Sequence, residues 1–172
     1  SVIVFIASSV IHMLTPFHKG DMKRVPNEDG VMTALRNFNL APGDYAMPLA
    51  SSMAAMGTPE FQEKMKAGPV VMMTVRPSGK YNMNTSLAYW FVYSIAISLV
   101  AGYIAGVALA PGADYLKVFQ VAGCVAFAGY SMGLPQASIW GGRNCGTTLR
   151  GMADGLLYGL LTGGTFGWLW PK

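Results

Sequence analysis

Charged side chains are scarce in this sequence, which argues against an ordinary water-soluble surface. Asp, Glu, Lys and Arg together make up 12% of the 172 residues, about half the share of a typical soluble domain. Hydrophobic residues reach 52%. The composition therefore predicts a small membrane protein whose first partner is the lipid bilayer.

Cysteine is also rare, and the common catalytic motifs are absent. The two cysteines, Cys124 and Cys145, form neither a C-x-x-C pair nor a disulfide framework. The sequence contains no P-loop, dinucleotide fingerprint, H-E-x-x-H or G-x-S-x-G pattern. The basic residues behind the net charge of +4 are scattered singly, which argues against a nucleic-acid partner. We predict a protein that is not an enzyme and binds no nucleic acid.

Long apolar runs stand where charge is missing. Four of them lie at residues 1–14, 87–109, 118–134 and 152–170. The run at 87–109 carries no charged residue and is long enough as a helix to cross a hydrocarbon core of about 30 Å. The run at 1–14 would rise only about 21 Å as a helix. It would cross the membrane if the bilayer were locally thinned or if further apolar residues preceded it. The four runs predict transmembrane helices.

Residues 15–85 are too polar for lipid. Within them, NEDGVMTALRNF and TPEFQEKMKA predict two short helices, the second started by Thr58 and Pro59 and stopped by Gly68. GDYAMPLA and the β-branched PVVMMTVRP predict strands. The predicted fold class is an all-α integral membrane bundle of about four transmembrane helices. A small α+β cap domain (15–85) is inserted between the first helix (1–14) and a three-helix region (86–172).

Basic residues near the ends of the runs predict the orientation in the membrane. Seven lie on the side of the long polar segment: Lys19, Lys23, Arg24, Arg76, Lys80, Arg143 and Arg150. Two, Lys117 and Lys172, lie on the opposite side. Because cytoplasmic loops carry the excess of Lys and Arg, we expect a multi-pass membrane protein with a defined orientation. Its cap would be cytoplasmic and both termini periplasmic.

Glycine recurs at every fourth position of the last apolar run, at Gly151, Gly155, Gly159, Gly163 and Gly167. In water each interior glycine costs a helix about 1 kcal/mol relative to alanine, but in lipid the backbone has no water to bind and the helix persists. Glycines on one face let another backbone approach closely. The stripe predicts a glycine-zipper packing face for a helix of this chain, another subunit, or a pigment or lipid tail.

Smaller glycine pairs occur in two other apolar runs. Gly102 and Gly106 lie in the second run, and Gly129 and Gly133 lie in the third. We predict that these four glycines also contribute to helix packing, since a G-x-x-x-G pair presents a small face to a neighbour.

Few polar residues lie in or beside the apolar runs. His12 is the one histidine within a run, where it is either a ligand of a haem or chlorin pigment or a hydrogen-bonded packing residue. His18 is expected to be solvated. Asp154 follows Arg150 by one helical turn, which predicts an interfacial ion pair. The twelve methionines suit copper in principle, but core filling is the simpler interpretation. We predict no bound metal and no cofactor apart from the pigment or haem alternative at His12.

Four stretches together resemble a family of small bacterial inner-membrane proteins with no established activity. They are APGDYAMP, PEFQEKMKAGPVVMMTVRPSG, LAPGADYLKVFQVAG and DGLLYGLLTGGTFGWLWP. The resemblance implies a bacterial source and a shared architecture, and it assigns no catalytic residue.

These features favour a non-catalytic accessory subunit that packs within a larger bacterial membrane complex of the electron-transfer or light-harvesting type. One alternative is a small transporter or channel, with Asp154, Arg143 and Arg150 along its path. A further alternative is a metal or redox protein that uses His12 or methionines.

Overall fold

The chain divides into two compact units in a computed structural model that describes residues 1–80 and 82–172. One unit is Arg24–Lys80, and the other contains residues 1–23 and 82–172. The helices are α1 (Val2–Leu14), α2 (Glu28–Arg36), α3 (Met53–Met56), α4 (Pro59–Ala67), α5 (Met83–Ala108), α6 (Tyr115–Phe127), α7 (Pro135–Ile139) and α8 (Cys145–Leu169). The strands are β1 (Gly43–Met47) and β2 (Val71–Val75), and a π-helical segment (Ala128–Met132) follows α6.

The unit at Arg24–Lys80 contains short elements with clear local signals. Strands β1 and β2 pair antiparallel, from Gly43 opposite Val75 to Met47 opposite Val71. Helix α4 begins where the Thr58 hydroxyl accepts a hydrogen bond from the Phe61 amide, and Pro59 opens its first turn. It ends at Gly68, whose φ of +59° favours glycine. Helices α2 and α4 and both strands lie where the sequence predicts them, whereas the short helix α3 was not predicted and this unit is shorter than the predicted cap.

The prediction of about four transmembrane helices is wrong. Among residues 1–80 and 82–172, two helical stretches are long and apolar enough to cross a membrane. One is α5 (Met83–Ala108), and the other is Tyr115–Ile139, which includes α6, the π-helical segment and α7. Helix α1 has 13 residues and rises about 20 Å, short of a bilayer core. Helix α8 is long enough, but glycine and threonine replace large apolar side chains along it. The residues that suit α8 for close packing lower its hydropathy, so a predominantly transmembrane bundle is not supported.

Helix α8 lies along α6 in backbone contact. A Cβ atom added to Gly163 would lie 2.5 Å from the Phe119 carbonyl oxygen and 3.0 Å from the Gly123 Cα. One at Gly159 would lie 3.0 Å from the Gly123 carbonyl oxygen. The other three glycines of the stripe face side chains between residues 115 and 134. Gly151 faces Leu134, Gly155 faces Ser131 and Gly167 faces Tyr115. The predicted stripe is therefore covered by a helix of this chain.

The four glycines of the other runs differ in their surroundings. Gly102 lies against the Phe166 ring and Gly129 against Ile97, so an added Cβ would clash at both positions. An added Cβ at Gly106 or Gly133 would meet open space. Among the residues that the structure describes, Gly102 and Gly129 therefore have close neighbours, and the packing role of Gly106 and Gly133 stays a prediction.

A second contact region joins α1, α5 and the first half of α8. The buried side chains of Val4, Tyr130 and Tyr158 pack together there with Trp90. The Trp90 indole N–H donates a hydrogen bond of 2.7 Å to the Ser8 hydroxyl, which ties α5 to α1. This region positions the polar residues described next.

Candidate functional site

A turn after α1 brings the second histidine back towards the helices. Thr15 has the extended backbone that a following proline favours, so α1 ends before Pro16. Backbone hydrogen bonds from Lys19 to Pro16 and from Asp21 to His18 then close two successive turns. The His18 Nδ1 and the Asp21 Oδ2 atoms lie 2.6 Å apart across the second turn.

The start of α8 supplies the opposite side of the site. The Asn144 carboxamide oxygen accepts hydrogen bonds from the amides of Gly146 and Thr147, which caps the helix seven positions before the predicted start at 152. Arg150 and Asp154 follow on successive turns of the helix. Asp154 is only 6% exposed, and a buried carboxylate requires a partner of opposite charge or a hydrogen-bond donor.

Five side chains meet between the α1 turn and α8, and we name them the polar cluster: His12, His18, Asp21, Arg150 and Asp154. The Arg150 guanidinium binds the Asp21 carboxylate, with Nε 2.6 Å from Oδ1. The His18 Nε2 atom lies 2.8 Å from the Asp154 Oδ2 atom. The His12 Nε2 atom lies 3.8 Å from the same oxygen. The two imidazole rings stack, with centroids 4.3 Å apart and planes 10° from parallel.

The hydrogen bonds of the two histidines assign a role to each ring nitrogen. The His12 Nδ1 atom lies 3.0 Å from the Ser8 carbonyl oxygen, and the His18 Nδ1 atom lies beside the Asp21 carboxylate. Both oxygens are acceptors only, so Nδ1 carries the hydrogen in each ring. In the neutral imidazole this leaves a lone pair on both Nε2 atoms, and both of these atoms lie near Asp154.

The charges around Asp21 lower its pKa. The hydrogen bond from His18 has the largest effect, and the hydrogen bond and positive charge of Arg150 act in the same direction. Together they outweigh desolvation, which alone would raise the pKa of this carboxyl group. Asp21 is therefore ionised while it orients His18.

An apolar cavity of about 390 Å³ adjoins the polar cluster. Its walls come from α1, α5, α8 and the π-helical segment. Aromatic rings form much of its body, including Trp90, Tyr93, Tyr130 and Tyr158. His12 and Asp154 belong to the lining as well, so the cavity has an apolar body with charged and polar groups at one end.

The π-helical segment shapes the cavity wall. Its wider turn presents Tyr130 to the cavity, and the Tyr93 hydroxyl donates a hydrogen bond of 2.8 Å to the Gly129 carbonyl oxygen. A backbone carbonyl group of the π-turn thus receives a hydrogen bond from a side chain. Such segments are frequent at functional sites.

Several site predictions need correction. The predicted ion pair of Arg150 with Asp154 does not form, because Arg150 binds Asp21 and Asp154 lies against His18. A helix favours an acidic residue before a basic one at this spacing, and the order here is the reverse. His18 is not solvated, since its side chain is only 16% exposed.

The candidate role of His12 as a haem or pigment ligand stays a prediction. Its ring stacks face to face on His18, and its Nε2 atom lies 3.8 Å from the Asp154 Oδ2 atom. The residues that sequence reasoning missed are His18 and Asp21. The sequence feature that could have indicated them is a second histidine and an acidic residue close together after Pro16.

Comparisons of the chain with protein-family models, with curated proteins and with solved structures find no match. The resemblance to small bacterial inner-membrane proteins therefore stays a prediction, and the polar cluster and its cavity are interpreted from their own chemistry.

Proposed function

We propose that this protein associates with a membrane and binds a lipid-soluble small molecule in the cavity between α1, α5 and α8. The observation that carries this proposal is the cavity itself, an aromatic-lined volume of about 390 Å³ with His12 and Asp154 at one end. Ligand sites typically have about 300–1,000 Å³, mostly apolar walls and a few convergent polar groups. The binding protein is non-catalytic in this proposal.

The exposure of α5 supports a membrane setting. Only 17% of its most apolar window is buried within the chain, whereas the core helix of a soluble protein buries most of such a stretch. Large side chains such as Leu99, Tyr103 and Val107 are exposed along it. Lipid is the environment in which such a surface is stable, and a lipid-soluble ligand would enter the cavity from the bilayer.

The lining indicates the kind of ligand. The rings of Trp90, Tyr130 and Tyr158 offer flat apolar surfaces that suit an aromatic or unsaturated body. The hydroxyl groups of Ser8 and Ser9 already donate to the Phe5 carbonyl oxygen, so the polar end of a ligand would meet His12 and Asp154. An amphipathic molecule with one polar end fits this pattern.

A matched pair of leucine substitutions on α5 tests the proposal. Leu87 lines the cavity, while Leu99 is exposed and lies outside it. Wild-type protein, Leu87→Trp and Leu99→Trp are purified from their native membrane into lipid nanodiscs, extracted with organic solvent and analysed by mass spectrometry. We expect one compound, enriched over empty nanodiscs, in the wild-type and Leu99→Trp samples and strongly depleted in Leu87→Trp. Equal amounts in all three proteins, or no enriched compound, would refute the proposal.

A second candidate function is the accessory subunit expected from the sequence. The open space at Gly106 and Gly133 favours it, because these small faces are unused within the chain and suit a neighbouring helix. Gentle detergent extraction tests this candidate. A stoichiometric membrane protein that is lost on Gly106→Leu would support it, and a free 18.3 kDa chain would refute it.

A further inference from the structure

We infer that His12, His18 and Asp154 bind a divalent transition-metal ion of the zinc class. Each residue offers one ligand atom, and the three atoms lie within 4.8 Å of one another. Two imidazole nitrogens and one carboxylate oxygen form a donor set that suits zinc with an open fourth position. The inference does not depend on which molecule occupies the cavity, so the two proposals can fail separately.

The hydrogen bonds at the Nδ1 atoms of the two histidines match those of metal-binding histidines. A metal-binding histidine usually donates its other ring N–H to a carboxylate or a backbone carbonyl group. Here Asp21 receives that hydrogen bond from His18 and the Ser8 carbonyl group receives it from His12. Arg150 in turn holds the Asp21 carboxylate in place. Both rings are thereby fixed in the tautomer that leaves Nε2 free to coordinate.

The buried Nε2 atom of His18 is the strongest single indication. It lies 2.8 Å from Asp154 Oδ2, yet the approach lacks the geometry of a hydrogen bond, and this buried nitrogen has no hydrogen-bond partner among residues 1–80 and 82–172. A lone pair that faces a carboxylate at this distance is repelled unless positive charge lies nearby. A metal ion bound to both atoms would supply that positive charge.

The charge of the polar cluster favours a cation. With neutral histidines, the carboxylates of Asp21 and Asp154 contribute −2 and Arg150 contributes +1, which leaves −1. The site is largely buried, so solvent screens this charge less than at an exposed surface. A divalent ion would change the total to +1, which an anionic fourth ligand from the cavity side would neutralise.

The distances require only a small movement to bind metal. Ligand atoms about 2.1 Å from a shared tetrahedral ion lie about 3.4 Å apart, and His12 and His18 now lie 3.8 Å and 2.8 Å from Asp154 Oδ2. The parallel rings cannot both direct their lone pairs at one ion. His12 has a side chain that is 50% exposed, so it has room to turn out of the stack towards the ion.

The composition of the chain makes the test unusually clean. Both histidines of the sequence lie in the proposed site, so an affinity tag without histidine leaves no other imidazole. The remaining nitrogen or sulfur ligands that are typical of zinc sites are the thiols of Cys124 and Cys145, which are exposed. The full chain with Cys124→Ser and Cys145→Ser, purified in nanodiscs and stripped with a chelator, is therefore the reference protein.

The binding measurement is a titration with Zn²⁺ in competition with a chromophoric chelator, and Mg²⁺ is titrated in parallel. We expect one Zn²⁺ per chain and no competition by Mg²⁺, which prefers oxygen ligands. We expect His18→Ala and Asp154→Asn each to weaken binding by about 100-fold or more. Asp21→Asn should weaken it by about 10–100-fold, because Asp21 orients the His18 ring. Asp114→Asn is the matched control, because this carboxylate is exposed and lies in the same unit.

Two further measurements distinguish lost metal binding from misfolding, because Asp154 is buried and its substitution would disturb the fold more readily than the others. His12→Ala removes a half-exposed side chain and is expected to weaken Zn²⁺ binding by about tenfold or more with an unchanged circular dichroism spectrum. In ¹⁵N NMR spectra of labelled imidazoles, Zn²⁺ should shift both Nε2 signals while both Nδ1 atoms keep their hydrogens.

Two outcomes would overturn the inference. One is the absence of stoichiometric Zn²⁺ binding in the folded reference protein, which would leave a proton as the cation between His18 and Asp154. The other is Zn²⁺ binding that persists unchanged in His12→Ala and His18→Ala. The ligand extracted from wild-type nanodiscs is measured separately, so loss of metal binding alone leaves the cavity proposal intact.

Discussion

Helix α8 makes two contacts of opposite chemistry, and the comparison between them explains most of the structure. Against α6 it presents glycine, and the backbones touch at Gly159 and Gly163. Against the turn after α1 it presents Arg150 and Asp154, whose partners are Asp21 and His18. The first contact depends on the absence of side chains and the second on charged groups at defined distances. The glycine contact tolerates no added volume, and the polar contact tolerates no lost partner.

The largest effect is expected from filling the glycine contact. Gly163→Leu should lower the free energy of unfolding by about 2–3 kcal/mol, because the new side chain must displace the α6 backbone. Gly106→Leu is the control, since an added side chain there meets open space. Thermal unfolding of both variants in nanodiscs measures the difference. Equal stability of the two variants would mean that α6 and α8 are not in backbone contact.

Removing the charge of Asp154 is expected to have the next largest effect. Asp154→Leu should destabilise the protein by about 1–3 kcal/mol, because it removes the carboxylate that lies 2.8 Å from the buried His18 Nε2 atom and leaves that nitrogen against an apolar side chain. Asp114→Leu removes an exposed carboxylate and should cost less than about 1 kcal/mol. Unfolding by denaturant in a mild detergent compares the two. If Asp114→Leu lowered the free energy of unfolding as much as Asp154→Leu, the burial of the polar cluster would be contradicted.

A smaller effect is expected at the hydrogen bond between α5 and α1. Trp90→Phe should cost about 1 kcal/mol, because it removes the indole donor to the Ser8 hydroxyl and keeps an aromatic ring. Trp168→Phe should be neutral, since Trp168 is 80% exposed. The same unfolding assay applies. The hydrogen bond would be excluded if Trp90→Phe were as costly in a Ser8→Ala background as in the wild type.

The smallest effect is a pH dependence carried by Asp21. Because its folded pKa lies below the ordinary value of 3.8, its ionised form stabilises the fold above that pH. This stabilisation is lost as the pH falls through the folded pKa. Wild type should therefore exceed Asp21→Asn in thermal stability near neutral pH and lose that advantage in strong acid. An advantage that grows on acidification would contradict the lowered pKa.

Local signals account for what the sequence predicts well. The start of α4 at Thr58 and Pro59, its end at Gly68, and the two short strands depend on neighbouring residues, and the structure has them at those places. The apolar run of α5 is equally local. The four-helix membrane prediction failed because it accepted the short run of α1 and the glycine-rich run of α8 as spans. Helix α1 is too short to cross a bilayer core, and glycine and threonine lower the hydropathy of α8.

The candidate site depends on contacts that no local pattern contains. His18 and Asp154 are far apart in the chain, and they meet because Pro16 ends α1 and two turns reverse the backbone. The pairing of Arg150 with Asp21 is equally remote in sequence. The sequence offered a nearer partner for Arg150 at Asp154, so a prediction based on helical spacing selected that partner instead.

The most direct test of this account is a double-mutant cycle between His18 and Asp154, with unfolding free energies measured for wild type, His18→Ala, Asp154→Ala and the double variant in nanodiscs. If the turn after α1 is bound to α8 through these two side chains, the coupling energy should be about 1–3 kcal/mol. Additive losses, within about 0.5 kcal/mol, would show that the two residues do not interact and would contradict the polar cluster.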